Sequence, residues 1–223
     1  MAGAEQVLCV SRPFAALYRA AGVANAVAIP NGVSAMAPAA ARAPRAGPVR
    51  VGYIGGMEPH KGYCLVRAAF ERRAYQNLRL TVVDHSRGPG AARLEMWGAT
   101  QVSLIGRVAQ DEVDALYAGL DVLLAPSIWP ESFGLASREA LAHGLWVVAS
   151  DRGAMAEEII PGENGWIVDV ESVAGLERAL ETIDGNPAQF KTAPKFSPAL
   201  RRAHEQADDL AQLYRVILEP RAN

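Results

Sequence analysis

Cysteine is scarce in this 223-residue chain: there are two, Cys9 and Cys64. Both lie in apolar contexts, where a buried thiol behaves as a small hydrophobe, so a disulfide framework is not expected. No apolar run approaches the roughly 18 residues that a membrane-spanning helix needs, and the N-terminus lacks the basic start of a secretory signal. The chain is accordingly read as cytoplasmic. Excess positive charge is missing too. With 22 Lys and Arg against 24 Asp and Glu, the formal charge is −2, which gives no footprint for nucleic acid or anionic lipid. Repeats at solenoid spacing are likewise absent. What remains is half apolar and 21% charged, too hydrophobic for disorder and long enough for one large domain or one and a half.

The N-terminal segment opens with an apolar run at residues 6–10. Ser11-Arg12-Pro13 follows, an N-cap with proline in the first turn of a helix over residues 14–21. A second apolar run at 26–30 ends in the turn dipeptide Asn31-Gly32. Residues 35–48 hold three prolines and seven alanines without apolar periodicity, the composition of an exposed spacer, and mark a domain boundary.

After the spacer, strand-length apolar runs alternate with helical patterns. Strands are expected at 49–54, 78–83, 102–105, 122–125, 146–149 and 166–168. Helices are expected at 61–73, 91–97, 111–120, 133–143 and 155–160. Strands rich in Val, Ile and Leu, alternating with helices, argue for an α/β domain: a Rossmann-like, doubly wound parallel sheet with helices on both faces. Ligands in such sheets sit beyond the carboxyl ends of the strands. Near the C-terminus, Leu200, Ala203, Ala207, Leu210, Tyr214 and Ile217 recur at spacings of three and four, giving a helix with one apolar face that packs on its own domain or a neighbour.

The first strand of this domain ends in Ile54-Gly55-Gly56-Met57-Glu58-Pro59-His60-Lys61-Gly62. The glycine spacing does not fit the dinucleotide G-x-G-x-x-G fingerprint, and Lys61 lacks the following Ser or Thr of a Walker loop. There remains a backbone that a ligand can approach closely and a cation at a helix start, which suits an anion.

A sharper feature is Ala125-Pro126-Ser127-Ile128-Trp129-Pro130-Glu131-Ser132-Phe133-Gly134-Leu135-Ala136-Ser137-Arg138-Glu139. A strand ends here and a helix begins, leaving free amides around Gly134 for a phosphate. Glu131 and Glu139 lie eight positions apart, about 12 Å at ~1.5 Å per helical residue. A diphosphate fits between them, with one carboxylate reading ribose hydroxyls and the other the group beyond the second phosphate. On spacing alone, a capping acid at Glu131 and an ordinary helix carboxylate at Glu139 fit equally well.

In order along the chain, these motifs resemble the retaining glycosyltransferases of the GT-B fold, in the large group-one family that uses nucleotide-sugar donors. The resemblance is carried by Leu8-Cys9-Val10-Ser11, Ile29-Pro30-Asn31-Gly32-Val33, Lys61-Gly62, Leu104-Ile105-Gly106-Arg107-Val108, Asp121-Val122-Leu123-Leu124-Ala125-Pro126-Ser127, the E-x7-E pair Glu131 and Glu139, and Asn164-Gly165.

The resemblance implies that Lys61 neutralises the departing phosphate, Glu131 contacts the donor sugar and Glu139 holds the ribose. It further implies that the amides of Phe133, Gly134 and Leu135 cradle the diphosphate and sugar, that Gly55, Gly56 and Ser132 also bind the donor substrate, and that Arg107 and Val108 lie along the base. No metal and no separate cofactor are implied, the donor being a UDP- or GDP-sugar or a similar nucleotide-diphospho-sugar. Many relatives carry Arg where this chain has Gly56; either Arg107 substitutes for the missing cation, or the chain takes a different donor or binds the diphosphate more weakly. The glycine-rich turn usual after the second strand is replaced by Asp84-His85-Ser86-Arg87-Gly88.

By this reading residues 1–34 are a remnant of an N-terminal acceptor domain, 35–48 the linker, and 49–223 the nucleotide-sugar-binding domain. The acceptor is a glycan or lipid-linked, and any membrane association belongs to the missing half. Other readings stay open: a non-catalytic nucleotide-sugar-binding subunit, a GT-B epimerase or phosphorylase, and, ranked last, a dehydrogenase. His60, His85, Glu157 and Glu158 are expected to be solvated, and His143 to close a helix before Gly144.

Overall fold

The computed structural model describes residues 4–34, 45–195, 197 and 200–218. Most of the expected linker, residues 35–44, lies outside them. The N-terminal segment forms a small parallel pair, β1 (Val7–Cys9) and β2 (Ala26–Ala28), joined by helix α1 (Arg12–Ala20). Ser11 caps α1 by accepting the Phe14 amide, and Pro13 occupies its first turn, as the sequence signals. Cys9, Ala15 and Ala26 make a miniature core.

The larger unit is a seven-stranded sheet of β3 (Val49–Tyr53), β4 (Leu78–Val83), β5 (Ala92–Trp97), β6 (Thr100–Ile105), β7 (Val122–Ala125), β8 (Trp146–Ser150) and β9 (Gly165–Val168). Their order is β5-β6-β4-β3-β7-β8-β9, parallel throughout except at β5. Helices α2 (Tyr63–Arg72), α5 (Ala174–Gly185) and α6 (Pro187–Phe190) cover one face, while α3 (Val113–Ala118) and α4 (Leu135–Ala142) cover the other.

Alternation within single strands shows why both faces must be covered. Val122 and Leu124 of β7 pack with Phe70, Leu180 and Ile183, whereas Leu123 packs with Tyr117, Leu141 and Leu145. Each such side chain, once fully buried, contributes about 1.5–3 kcal/mol.

Two expected helices are absent. Residues 92–97 form a strand antiparallel to β6, paired from Ala92↔Ile105 to Trp97↔Thr100. This segment is the seventh strand. Residues 155–158 form turns and 159–160 are irregular: Ser137 Oγ lies within reach of the Met155 carbonyl, and Asn164 Oδ1 accepts the Ile160 amide, so both ends are tied outside any helical ladder. Cys64 also departs from expectation, being exposed while Cys9 is buried.

The C-terminal helix α7 (Ala203–Leu218) buries no residue completely. Leu210 and Ile217 are half-buried as its periodicity predicts, but Ala203, Ala207 and Tyr214 face outward. It is joined to the N-terminal segment rather than to the sheet. Gln206 accepts the Gly32 amide at 3.0 Å and donates to Asn31 Oδ1 at 2.8 Å, while the Ala203 amide reaches the Val33 carbonyl at 3.1 Å. A Cβ at Gly32 would collide with the backbone of Arg202. No helix among the described residues is long and apolar enough to cross a membrane.

Candidate active site

Two loops at the carboxyl ends of neighbouring strands form the candidate site, one leaving β3 and one leaving β7. Parallel pairing of β3 with β7 fixes their adjacency. The β3 loop closes with a single 3-10 turn (Pro59–Lys61) and then Gly62 at φ +84°, which starts α2. Any side chain at Gly62 would run into the Pro126 carbonyl, so the loops touch backbone to backbone. Tyr53 donates to the Lys61 carbonyl at 3.1 Å and fixes it from below. Burial raises the phenol far above its ordinary pKa, so it stays a donor.

With the backbones locked, Lys61 Nζ meets Glu131 Oε1 at 2.5 Å. The Ser127 hydroxyl faces the same carboxylate oxygen at 3.1 Å, and Glu131 Oε2 has no partner among the described residues. The pair is open to solvent, Lys61 at 36% and Glu131 at 21% side-chain exposure. The His60 carbonyl accepts the amides of Ile128 and Trp129 at 2.9 and 3.1 Å, further binding one loop to the other.

Helix α4 starts at Gly134, φ +74°, with no side chain capping it. Its first-turn amides therefore have no intrahelical or capping partner, and they give this end of the cleft partial positive charge. Behind the turn lies Arg138, 3% exposed, against Glu157 at 2.6 Å and Glu158 at 3.7 Å. It also donates to the carbonyls of Phe133 and Ala154 and sits over the Phe133 ring at 4.1 Å. Desolvation lowers the Arg138 pKa, and burial raises that of Glu158. These glutamates are thus enclosed partners of Arg138, not the solvated groups expected from sequence.

The resulting cleft has a volume of 450 Å³ and is lined by Gly55, Lys61, Glu131, Gly134 and Leu135 among the residues singled out in the sequence. Ser132 instead lines an adjoining cleft of 550 Å³. Phe133 is buried beneath Arg138. Glu139 is half-buried one turn along α4, its Oε2 accepting the Tyr117 hydroxyl at 2.9 Å. Gly56 is buried at the cleft's edge, where a Cβ would lie 2.5 Å from Glu58 Oε2 and 2.9 Å from the His85 ring.

Arg107 and Val108 do not line the cleft. Arg107 is exposed, with its amide bonded to the Arg87 carbonyl at 3.1 Å. The structure gives it no contact that would replace a cation at Gly56. The cleft wall also includes Glu58, His60, His85, Ser127 and Met155, none of them assigned from sequence. The histidines carried a weak signal, since each follows or precedes a strand-end motif. Met155 carried none. His143 caps α4 before Gly144 as expected and stacks on Tyr117.

A family model described as glycosyl transferases group 1 matches residues 40–200. The chain is 33% identical over 175 residues to a glycogen synthase of Mycobacterium tuberculosis, covering 75% of this chain and 42% of that protein. It is 31% identical over 182 residues to a D-inositol 3-phosphate glycosyltransferase of Rhodococcus opacus, covering 74% and 40%. Among solved structures, sucrose-phosphate synthase of Thermosynechococcus elongatus superposes with a TM-score of 0.78 at 26% identity, covering 96% of this chain and 59% of that one. HepE of Anabaena, in complex with UDP and glucose, has the same fold at a TM-score of 0.76 and 19% identity, covering 96% and 64%. This chain thus spans about two fifths of the length of the curated relatives it matches. Together with the Rossmann-like sheet and the cleft at its strand ends, the matches establish that the chain belongs to the group 1 glycosyl transferases.

Proposed function

We propose that this chain is the donor-binding part of a glycosyltransferase. It holds a nucleotide-diphospho-sugar, such as a UDP- or GDP-sugar, for metal-independent transfer with retention of anomeric configuration. The acceptor is a glycan or lipid-linked acceptor presented by an N-terminal domain, of which residues 4–34 are the final elements. The observation that carries this reading is the convergence of Lys61, Glu131 and the uncapped start of α4 on one cleft.

In this reading the diphosphate lies across the α4 amides and draws Lys61 Nζ away from Glu131. Glu131 then accepts hydrogen bonds from sugar hydroxyls, and Glu139, oriented by Tyr117, accepts them from the ribose. As the bond from sugar to phosphate breaks, negative charge accumulates on the departing phosphate oxygen. Lys61 and the fixed amide dipoles stabilise that charge, the kind of preorganised electrostatic contribution that accelerates such steps most. The relatives' names and the UDP and glucose of the HepE complex support the donor class.

Calorimetric titration with UDP and GDP tests the reading on the full chain and on Glu139→Ala. Wild type should bind one of the two, and the variant should bind it roughly tenfold or more weakly, the scale of a hydrogen bond to a charged group. Equal affinity in the variant overturns the role of Glu139, and binding of neither nucleotide overturns the donor assignment.

A further inference from the structure

Beside the donor cleft lies the second one, of 550 Å³, lined by Phe14, His60, Lys61, Trp129, Pro130, Glu131 and Ser132. The two clefts share His60, Lys61 and Glu131, so the ion pair is a partition with one face toward each. Trp129 is 66% exposed. Large aromatic rings are costly to leave in water and usually bury most of their surface. Its placement is nevertheless fixed, because its amide donates to the His60 carbonyl and its own carbonyl faces the Ser127 hydroxyl at 3.0 Å. The indole is therefore a wet ring on a rigid backbone, at the wall of a concave space that opens onto Lys61 and Glu131.

The charge of this wall narrows what fits. Its one lysine is already paired with its one carboxylate. Among the described residues that line it, no Lys or Arg is left over for a phosphate. What the wall offers is two aromatic side chains, the Ser132 hydroxyl and the unpartnered Glu131 Oε2. A flat apolar face beside hydrogen-bond acceptors complements a pyranose ring, which has C–H faces and an equatorial rim of hydroxyls.

We infer that the second cleft is the near half of the acceptor site, and that it takes an uncharged saccharide stacked on Trp129 rather than a phosphorylated polyol. The inference rests on the donor reading above. It goes further by naming the acceptor's chemical class and Trp129 as the residue that selects it. The sugar hydroxyl that receives the transferred group would then face the Lys61–Glu131 partition.

Maltotriose, a neutral oligosaccharide, and inositol 1-phosphate, an anionic polyol, are the probes, each added to the full chain with UDP present. Trp97 and Trp146 are buried and Trp166 is half-buried, so a change in tryptophan emission reports mainly on Trp129. Saturation-transfer NMR reads binding in Trp129→Ala and Trp129→Phe, and melting temperature reports whether each variant folds. The expected result is that maltotriose binds wild type, quenches emission and shows about three- to tenfold weaker binding to Trp129→Ala, the scale of one aromatic contact. Trp129→Phe should retain most of the affinity, and inositol 1-phosphate should not bind measurably.

Equal maltotriose binding in Trp129→Ala, stronger binding of inositol 1-phosphate, or no maltotriose binding in a wild type that binds UDP would overturn the inference and leave the donor reading standing. Loss of UDP affinity in Trp129→Ala along with saccharide affinity also overturns it, since the ring would then support the loop. Failure of wild type to bind any nucleotide removes the donor reading and this inference together.

Discussion

Two ion pairs flank Phe133, and they differ in almost every physical respect. Arg138–Glu157 is sealed, at 3% and 7% exposure, and the guanidinium spends further donors on the carbonyls of Phe133 and Ala154. Lys61–Glu131 is open, with one carboxylate oxygen unclaimed. A sealed pair with its other valences satisfied cannot be exchanged for anything, because breaking it strands a charge in a low dielectric. An open pair can be exchanged, because water or a ligand can replace either partner. The first holds the turn that starts α4. The second is available to chemistry.

The largest expected effect comes from breaking the sealed pair. Arg138→Met leaves Glu158 enclosed without a cation and Glu157 with only the exposed Arg12, and should destabilise the fold by about 3–5 kcal/mol, lowering the melting temperature by roughly 10 °C in a chain of this size. A melting temperature within a degree or two of wild type would show that water reaches those carboxylates.

Next comes Gly62→Ala. A left-handed φ of +84° and the Pro126 carbonyl both oppose a Cβ, and such strain costs about 1–3 kcal/mol. Denaturant unfolding should show that loss together with weaker nucleotide binding, since the loop contact that brings Lys61 to Glu131 is disturbed. Loss of stability with full nucleotide affinity would separate the loop contact from the site.

The smallest effect on stability, and the one that most sharpens the contrast, belongs to Lys61→Ala. Unfolding free energy should change by less than about 0.5 kcal/mol, as for exposed pairs. Nucleoside diphosphate affinity should fall roughly tenfold to hundredfold with the loss of a charge-assisted contact. Calorimetry alongside denaturant unfolding measures both. A large stability loss would mean that this pair is structural after all.

Legibility in the sequence followed how local the cause was. The strand at residues 122–125 and the glycine-started helix after it are marked by apolar run, turn and periodicity within a single stretch. So are Lys61, Glu131, Gly134 and Leu135, which the fold gathers along one cleft. Residues 92–97, Ala-Arg-Leu-Glu-Met-Trp, contain good helix formers and little burial, and only their pairing with 100–105 makes them a strand. Local propensity yields to tertiary pairing there. Glu157 and Glu158 read as surface acids because their partner, Arg138, is 19 residues away from the first of them, and nothing in the motif announces a buried guanidinium. The departure of Arg107 from the cleft has the same origin. Its amide is bonded to the residue 84–91 loop, whose course after β4 no spacing rule foretells.

The contacts of Gly32 and Val33 with Arg202, Ala203 and Gln206 have a mechanical consequence. Residues 201–206, which follow Leu200 of the larger unit's core, hold the small N-terminal unit at one end through Asn31, Gly32 and Val33. At its other end the Ser11 hydroxyl donates to the Ser132 carbonyl at 2.6 Å, and Arg12 reaches Glu157. The unit is therefore fastened at two separate places, and the second fastening is on the wall of the second cleft.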